Sequence, residues 1–570
     1  MKKIGFKNFR KFENFPVIEL GDVTYLVGKN NAGKSTMVKA LILVIENLLQ
    51  KSKNVPFANE AYFSFTTPIH DLHVDTYDRA LNKNCQRKEI SFNVAIEDFE
   101  FAISVAPADD DVLYSHLQRK TDRNAPISSI EIIDNKLGVA LKIEPFVNRY
   151  ILEVNSKEDK SIDSVIEELN KRIADIKQAI SDEELALVCD YKHISELNAE
   201  MEAIAKRRNI LQKKADGNDK EKMIFNSLHL TYRAGSEAMY SIVREIDALE
   251  NMASYDDALK HSRIASLSLG LNEKEKKQQG QYLSKLRSYS EILGKMRDRL
   301  NALLSSLDLM YIPAHLASQE MVLNSHSKDI FAKVVDTYEH QTKVLDRNEE
   351  IKRFITHWMD NDHFGIGTDF HIEEPLPGYY SMDIDTYDGC RVNVADMGMG
   401  TNQLMILLLH VANKLTSARA TRNRMVHISD DSNSLVCPTI LIEEPEQNLH
   451  PNLQSKLAEF FYELATSKEY CIHFIVETHS EYVVRKTQVI VAGEEYHDEK
   501  DLSENNPIKV LYFGGDSIDK PVYEMTYNLN GRFNESFGPG FYDAAGQLAL
   551  KLSEKESQHP INDKFNWGEL

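Results

Sequence analysis

Gly28-Lys29-Asn30-Asn31-Ala32-Gly33-Lys34-Ser35 is the stretch on which the reading of this chain turns. Ahead of it runs Val23-Thr24-Tyr25-Leu26-Val27, short, apolar and β-branched, the pattern of a buried strand. Behind it, Ser35 to Leu43 has the pattern of a helix. Strand, glycine-bounded loop and helix together are the context in which G-x-x-x-x-G-K-[ST] cradles phosphate. Gly28 and Gly33 allow the backbone to curl its N–H groups inward, and the helix N-terminus adds partial positive charge. In such a loop Lys34 reaches the β/γ-phosphates and the Ser35 hydroxyl ligates Mg²⁺.

A second segment, far along the chain, makes sense only with the first. Pro438-Thr439-Ile440-Leu441-Ile442 is another buried-strand candidate, and it ends in Glu443-Glu444-Pro445-Glu446. Glu443 is expected to hold Mg²⁺, directly or through water, and Glu444 to polarise an attacking water as general base. Neighbouring strand residues point to opposite faces, so both acids act together only at the strand end, where the chain turns at Pro445. A third strand, His473 to Val476, leads into Glu477-Thr478-His479-Ser480, where a neutral His479 is placed to donate to a γ-phosphate. Between the two ends, Ala395-Asp396-Met397-Gly398-Met399-Gly400-Thr401-Asn402-Gln403 opens an apolar helix and offers a further anion-binding end.

The order of these segments, with Asn448-Leu449-His450-Pro451 after the carboxylates, resembles ABC-type ATPases. More narrowly it resembles the branch of RecF-like, overcoming-lysogenization-defect (OLD) and PtuA-like proteins, whose loop reads G-x-N-x-x-G-K-S. The match covers about residues 1–110 and 306–530. Lys7-Asn8-Phe9-Arg10-Lys11-Phe12 resembles the opening strand and turn of that branch, which brings Arg10 and Lys11 near the nucleotide.

The resemblance implies an α/β fold: an ABC-type P-loop ATPase head interrupted by a helical, coiled-coil insertion. It implies ATP and Mg²⁺ as cofactors, with Gly28, Asn30, Asn31, Ala32, Gly33, Lys34, Ser35 and Thr36 on the nucleotide. It implies a homodimer through the ATPase heads, or a higher oligomer built from it, in which Gly398, Gly400 and Gln403 of one chain complete the pocket of the other. Many ABC ATPases carry Asp where Glu443 stands; OLD-like relatives often carry Glu. The residue that should hold water near residues 60–75 has no clear candidate, and Thr67-Pro68-Ile69-His70-Asp71 is where it is sought. In PtuA-like systems the partner is a separate HNH nuclease, in two-component Septu systems or joined to a retron reverse transcriptase and its DNA. The leading expectation is therefore an ATPase subunit of anti-phage defence. A RecF-like repair ATPase that binds DNA directly is the alternative, and a nucleotide-dependent scaffold the plainest one.

At 570 residues the chain exceeds one ordinary domain, and its net charge of −21 disfavours indiscriminate coating of DNA. Cys85, Cys189, Cys390, Cys437 and Cys471 form no C-x-x-C pair, which suggests reduced, mostly buried thiols and a cytoplasmic protein. The expected domains are 1–155 and 309–530 as two halves of the head, 156–308 as the insertion and 531–570 as a tail. In the insertion, Ile162, Ile166, Leu169, Ile173, Ile176 and Ile180 step by four and three, as do Ile194, Leu197, Met201 and Ile204, with Leu211 a full heptad further on. They form either a helical hairpin or the packed face of a helical subdomain. The basic clusters Lys206-Arg207-Arg208 and Lys274 to Lys277 are solvated helix faces or contacts to nucleic acid or a partner. After His479 there is no Asp-x-Asp pair of the kind OLD nucleases carry, so the chain is expected not to be a nuclease by that route. No apolar run is long enough to span a bilayer.

Overall fold

The computed structural model describes residues 1–52, 62–67, 72–106, 123–144, 149–155, 220–225, 290–314, 320–327, 329–345, 348–425, 437–467, 470, 472–514, 520–538 and 542, with isolated positions from 170 to 201 and from 548 to 551. The chain divides into two compact units. The first combines Met1–Glu97, Val105–Pro126 and Arg299–Leu570, and the second Asp98–Ser104 and Ile127–Asp298. Residues 127–155, grouped by the sequence reading with the N-terminal half, cluster with the second unit.

In the first unit the decisive element is a six-stranded sheet. Its order is Leu309–Ile312, Thr439–Glu443, His473–Glu477, Val23–Gly28, Ile508–Phe513 and Val522–Glu524. All neighbours are parallel except the last pair. Val23–Gly28, Thr439–Glu443 and His473–Glu477 are almost wholly buried apolar runs, as strands covered on both faces require. The histidine strand thus lies between the loop strand and the carboxylate strand, with Glu443 level with Glu477 and Glu477 level with Leu26.

Helices cover this sheet. Met399–Met425 buries Leu404 through Leu409 without interruption, so it is a core helix rather than an amphipathic one. Pro451–Thr466 brings Phe460 and Phe461 onto the sheet, with Phe461 at 4.9 Å from Phe474 and Phe460 at 4.7 Å, edge-on, from Trp358. Two further sets of strands belong to the unit, the first being part of a nine-stranded sheet and the second a four-stranded sheet. Lys3–Phe9 pairs antiparallel with Phe12–Glu19 and with Ile90–Ile96, around stacked Phe6 and Phe15 at 4.3 Å. Tyr379–Asp385 pairs with Leu323–Asn324, Asp369–Leu376 and Arg391–Asn393, and buries Tyr380, Met382 and Ile384 in strict alternation. Phe533, Phe537 and Tyr542, assigned by sequence to the tail, pack on the core of this unit, and the Tyr542 hydroxyl donates to Ser480 O at 3.1 Å.

The second unit contains the part of the strand Asn124–Asp134 from Ile127 on and, antiparallel to it in turn, Val139–Glu144 and Arg149–Asn155. It adds Lys220–Phe225, which pairs along Arg149–Asn155. That strand lies within the segment expected to be helical throughout; Met223-Ile224-Phe225 is too short a run for its period to announce it. Most of the proposed heptad positions lie outside the described residues, though Ile173, Ile176, Ile180 and Met201 are helical. Cys85 and Cys390 are free thiols, Cys390 exposed, while Cys437 is disulfide-bonded. This departs from the expectation of reduced, buried thiols, because spacing along the chain does not register thiols that are neighbours only in space. Among the described residues no helix is long and apolar enough to cross a membrane.

Candidate nucleotide site

The loop begins where the strand Val23–Gly28 ends. Gly28 has φ +146°, and a Cβ there would stand 2.1 Å from Phe513 O. Asn31 takes φ +60°, which asparagine tolerates, and the exposed Lys11 ammonium donates to Asn31 O at 2.7 Å. Gly33, at φ +113°, turns its α-carbon to the ring of Phe12, 2.4 Å from where a Cβ would be. The helix Lys34–Ser52 then starts with Thr36 N and Met37 N both donating to Gly33 O. Asn30 is exposed, whereas Ala32 and Thr36 are buried. Arg10, at φ +50°, anchors its backbone to Ala80 and Asn82, and burial pulls its guanidinium pKa down.

Lys34 is the buried centre of the site, with its side chain 3 % exposed. Its ammonium donates to Gly28 O at 3.0 Å and Lys29 O at 3.2 Å, and stands 3.7 Å from Glu477. Ser35 Oγ donates to the same carboxylate, at 3.1 Å to Oε2 and 3.4 Å to Oε1. Burial pushes Glu477 up to about 7, against the pull of Lys34, and burial likewise lowers Lys34. Burial disfavours the charged form of both; the negative charge of Glu443 and Glu444 adds to this at Glu477, whereas at Lys34 the neighbouring carboxylates oppose it.

The carboxylate strand stops at Glu443, and Glu444 enters the left-handed region at φ +48°. That turn separates the two acids. Glu443 accepts from Tyr311 of the adjacent strand and from the Ala314 backbone, and burial raises its pKa. Glu444 N donates to Glu477 O at 2.7 Å, and its carboxylate accepts from Gln447 and lies 3.6 Å from His479 Nε2. His479 is kept from protonating by burial first and by Lys34 second, and Glu444 opposes them. Glu446 is buried and accepts from His479 N at 2.7 Å, which fixes the turn after the histidine strand.

Gly398, Gly400 and Gln403 stand elsewhere, at the start of Met399–Met425. Gly400 closes on Asn448 O, 2.8 Å from a built Cβ, so the glycine-rich helix start and the Asn448-Leu449 turn form one surface. Gln403 is buried, and its Oε1 has no hydrogen-bond partner among the described residues. Thr67 is described, but positions 68–71 of the sought water-holding segment lie outside the described residues.

Lys34, Ser35, Glu443, Glu444 and His479 thus converge, whereas sequence reading gives no role to Glu477, Glu446 or Tyr311. Glu477 carries a signal in hindsight: it ends an apolar strand at the register position of Glu443. Hydroxyl and carboxylate oxygens from Ser35, Glu443 and Glu477 are the hard donors that Mg²⁺ takes, and a curled glycine loop around a buried ammonium suits a polyphosphate. One other cluster, Asp369, His371 and Asp385, holds metal-ligand types. Lys352 and Arg391 already pair with its two carboxylates at 2.8 Å, and hydrogen bonds from Arg391 and then His371 hold Asp385 down to about 2. It is a charge network on a sheet face.

A parallel sheet with a glycine-bounded phosphate loop, an adjacent carboxylate strand and an intervening histidine strand defines a P-loop ATPase of the ABC/AAA type. The chain belongs to the AAA ATPase domain family, whose model matches residues 1–484. No curated protein is significantly similar to it in sequence. Solved structures similar to it include the Smc head domain of Pyrococcus furiosus with an extended coiled coil, bound to the C-terminal domain of ScpA. That pair shows 12 % identity over 98 % of this chain and 99 % of the other, at a TM-score of 0.30. The Smc head domain of Pyrococcus yayanosii gives 11 %, 98 %, 99 % and 0.31, and that of Thermotoga maritima 10 %, 92 %, 98 % and 0.28. At such scores the likeness carries no argument beyond itself.

The raised Glu477 carries a pH dependence. A carboxyl that folding moves from 4.5 to about 7 contributes stability fully present below 4.5 and lost as pH rises through 7. Glu477→Gln keeps an acceptor for Ser35 and does not ionise. Its thermal midpoint relative to the unsubstituted protein should therefore climb between pH 5 and 8 in the absence of nucleotide, by up to about 3 kcal/mol in stability. A gap constant with pH would contradict the raised carboxyl.

Proposed function

We propose that this chain is the ATP-binding and ATP-hydrolysing subunit of a bacterial anti-phage defence complex that regulates a separate HNH-type nuclease. The observation that carries the ATPase part is the meeting of Lys34, Ser35, Glu443, Glu444 and His479 at neighbouring ends of parallel strands. In this reading the backbone of residues 28–36 wraps the phosphates, with Lys11 bracing the loop and Arg10 beside it. Lys34 neutralises the β/γ-phosphates, Ser35 and Glu443 hold Mg²⁺, Glu444 takes a proton from water and neutral His479 donates to the γ-phosphate.

Two chains pair head to head, so that Gly398, Gly400 and Gln403 of one face the nucleotide held by the other. The surface shared by Gly400 and Asn448 supports that arrangement, since it links the helix start to the turn that follows the carboxylates. ATP then favours one arrangement of the heads and its loss another, which is how a bound nuclease is restrained or released. The nuclease part rests on the resemblance of the Gly28–Ser35 loop and of Lys7–Phe12 to the branch that holds PtuA-like chains, and on the acidic net charge of −21.

The test is co-expression with the products of the neighbouring genes, among which an HNH protein is expected. Co-purification is expected, with DNA cleavage that is suppressed by ATP and restored on its removal. Failure to associate, or cleavage indifferent to ATP, would reject nuclease control while leaving the ATPase site intact.

A further inference from the structure

Three acids, Glu443, Glu444 and Glu477, stand near the loop and its buried cation Lys34. A triphosphate entering that loop meets more negative charge than the lysine offsets, unless a divalent cation enters with it. Glu477 is the acid nearest the loop. Its carboxylate accepts from Ser35 Oγ at 3.1 Å and stands 3.7 Å from Lys34 Nζ, and its side chain is 7 % exposed. The hydroxyl expected to face the metal and the ammonium expected to face the phosphates are therefore both held by this one side chain. It comes from the strand between the loop strand and the carboxylate strand, and its α-carbon is level with that of Glu443.

From this juxtaposition we infer that Glu477 is a further carboxylate of the Mg²⁺ site and makes nucleotide binding depend on the cation. With Mg²⁺ present, Glu477 and Ser35 turn from each other to the ion, directly or through a coordinated water, and Lys34 is freed for the phosphates. Without it, Glu477 keeps Lys34 and repels the triphosphate. A carboxylate serving only as a counter-ion to Lys34 would weaken ATP binding equally with and without metal. The two roles therefore differ in one measurable ratio.

The inference rests on the nucleotide-site reading above, and the experiment separates the two. A fluorescent ATP analogue is titrated into the full-length protein and into Glu477→Gln, in EDTA and over a range of MgCl₂, with thermal melts to verify folding. The Mg²⁺ concentration giving half-maximal binding is expected to rise about 10–100-fold in the variant, as for loss of a group that orients a bound metal. Affinity in EDTA is expected to increase. Glu477→Asp keeps the charge but withdraws it from Ser35 by one methylene, and is expected to fall between the two; it carries the test alone if the Gln variant does not fold. A Mg²⁺ requirement unchanged within about twofold in the folded variant overturns the role of Glu477, since a metal-site group costs at least tenfold. Absence of analogue binding by the unsubstituted protein with Mg²⁺ overturns the nucleotide-site reading instead.

Discussion

Glu444→Gln should lower ATP hydrolysis by about 10²–10⁴-fold, the contribution of a positioned general base, while leaving ATP binding in place. The side chain sits where the carboxylate strand has ended and the backbone has turned into the left-handed region. It is fixed there by Gln447 on one oxygen and faces His479 from the other at 3.6 Å. Glutamine occupies the same volume and can still accept from Gln447, so folding and phosphate contacts should persist. What it lacks is a lone pair basic enough to take a proton from water. Phosphate release by the purified variant, beside equilibrium binding of ATP, reads both quantities. Turnover within tenfold of the unsubstituted protein would place the base elsewhere.

Gly28→Ala should disable the loop by breaking its frame rather than its chemistry. The methyl group would lie 2.1 Å from Phe513 O, a backbone atom of the adjacent strand that cannot rotate away, at a φ of +146° that alanine rarely adopts. Overpacking and backbone strain each cost on the order of 1–3 kcal/mol. The variant should therefore melt several degrees lower and bind ATP far more weakly. Gly33 differs: its conflict is with the Phe12 ring, a side chain able to shift. A Gly28→Ala protein that melts and binds normally would show that the Phe513 strand does not set the loop.

The features legible in sequence were those whose meaning is local. The loop announces itself because glycines, Lys34 and Ser35 are contiguous, and the carboxylate strand because Glu443 and Glu444 follow an unbroken apolar run. Glu477 was not legible as a site residue, since the hydroxyl it meets lies 442 positions away along the chain. Only the strand order turns an acid before Thr478 into a neighbour of Lys34. The small sheet around Tyr379–Asp385 escaped for the same reason: its partners Leu323–Asn324 and Arg391–Asn393 are too short to carry a period of their own. The strand Lys220–Phe225 was hidden inside a lysine- and glutamate-rich stretch whose neighbours step by three and four.

Val23–Gly28 is flanked on both sides by strands from the far end of the polypeptide, His473–Glu477 and Ile508–Phe513. During synthesis the loop strand therefore emerges long before His473–Glu477 and Ile508–Phe513, and has no sheet neighbour until they follow. At about 5–20 residues per second that delay is on the order of a minute. Through that interval the ribosome-bound chain exposes an unpaired apolar strand and has no framework to grip a nucleotide. Competence to bind arrives late and all at once, so a product cut short before Ile508 inherits the loop sequence without its function.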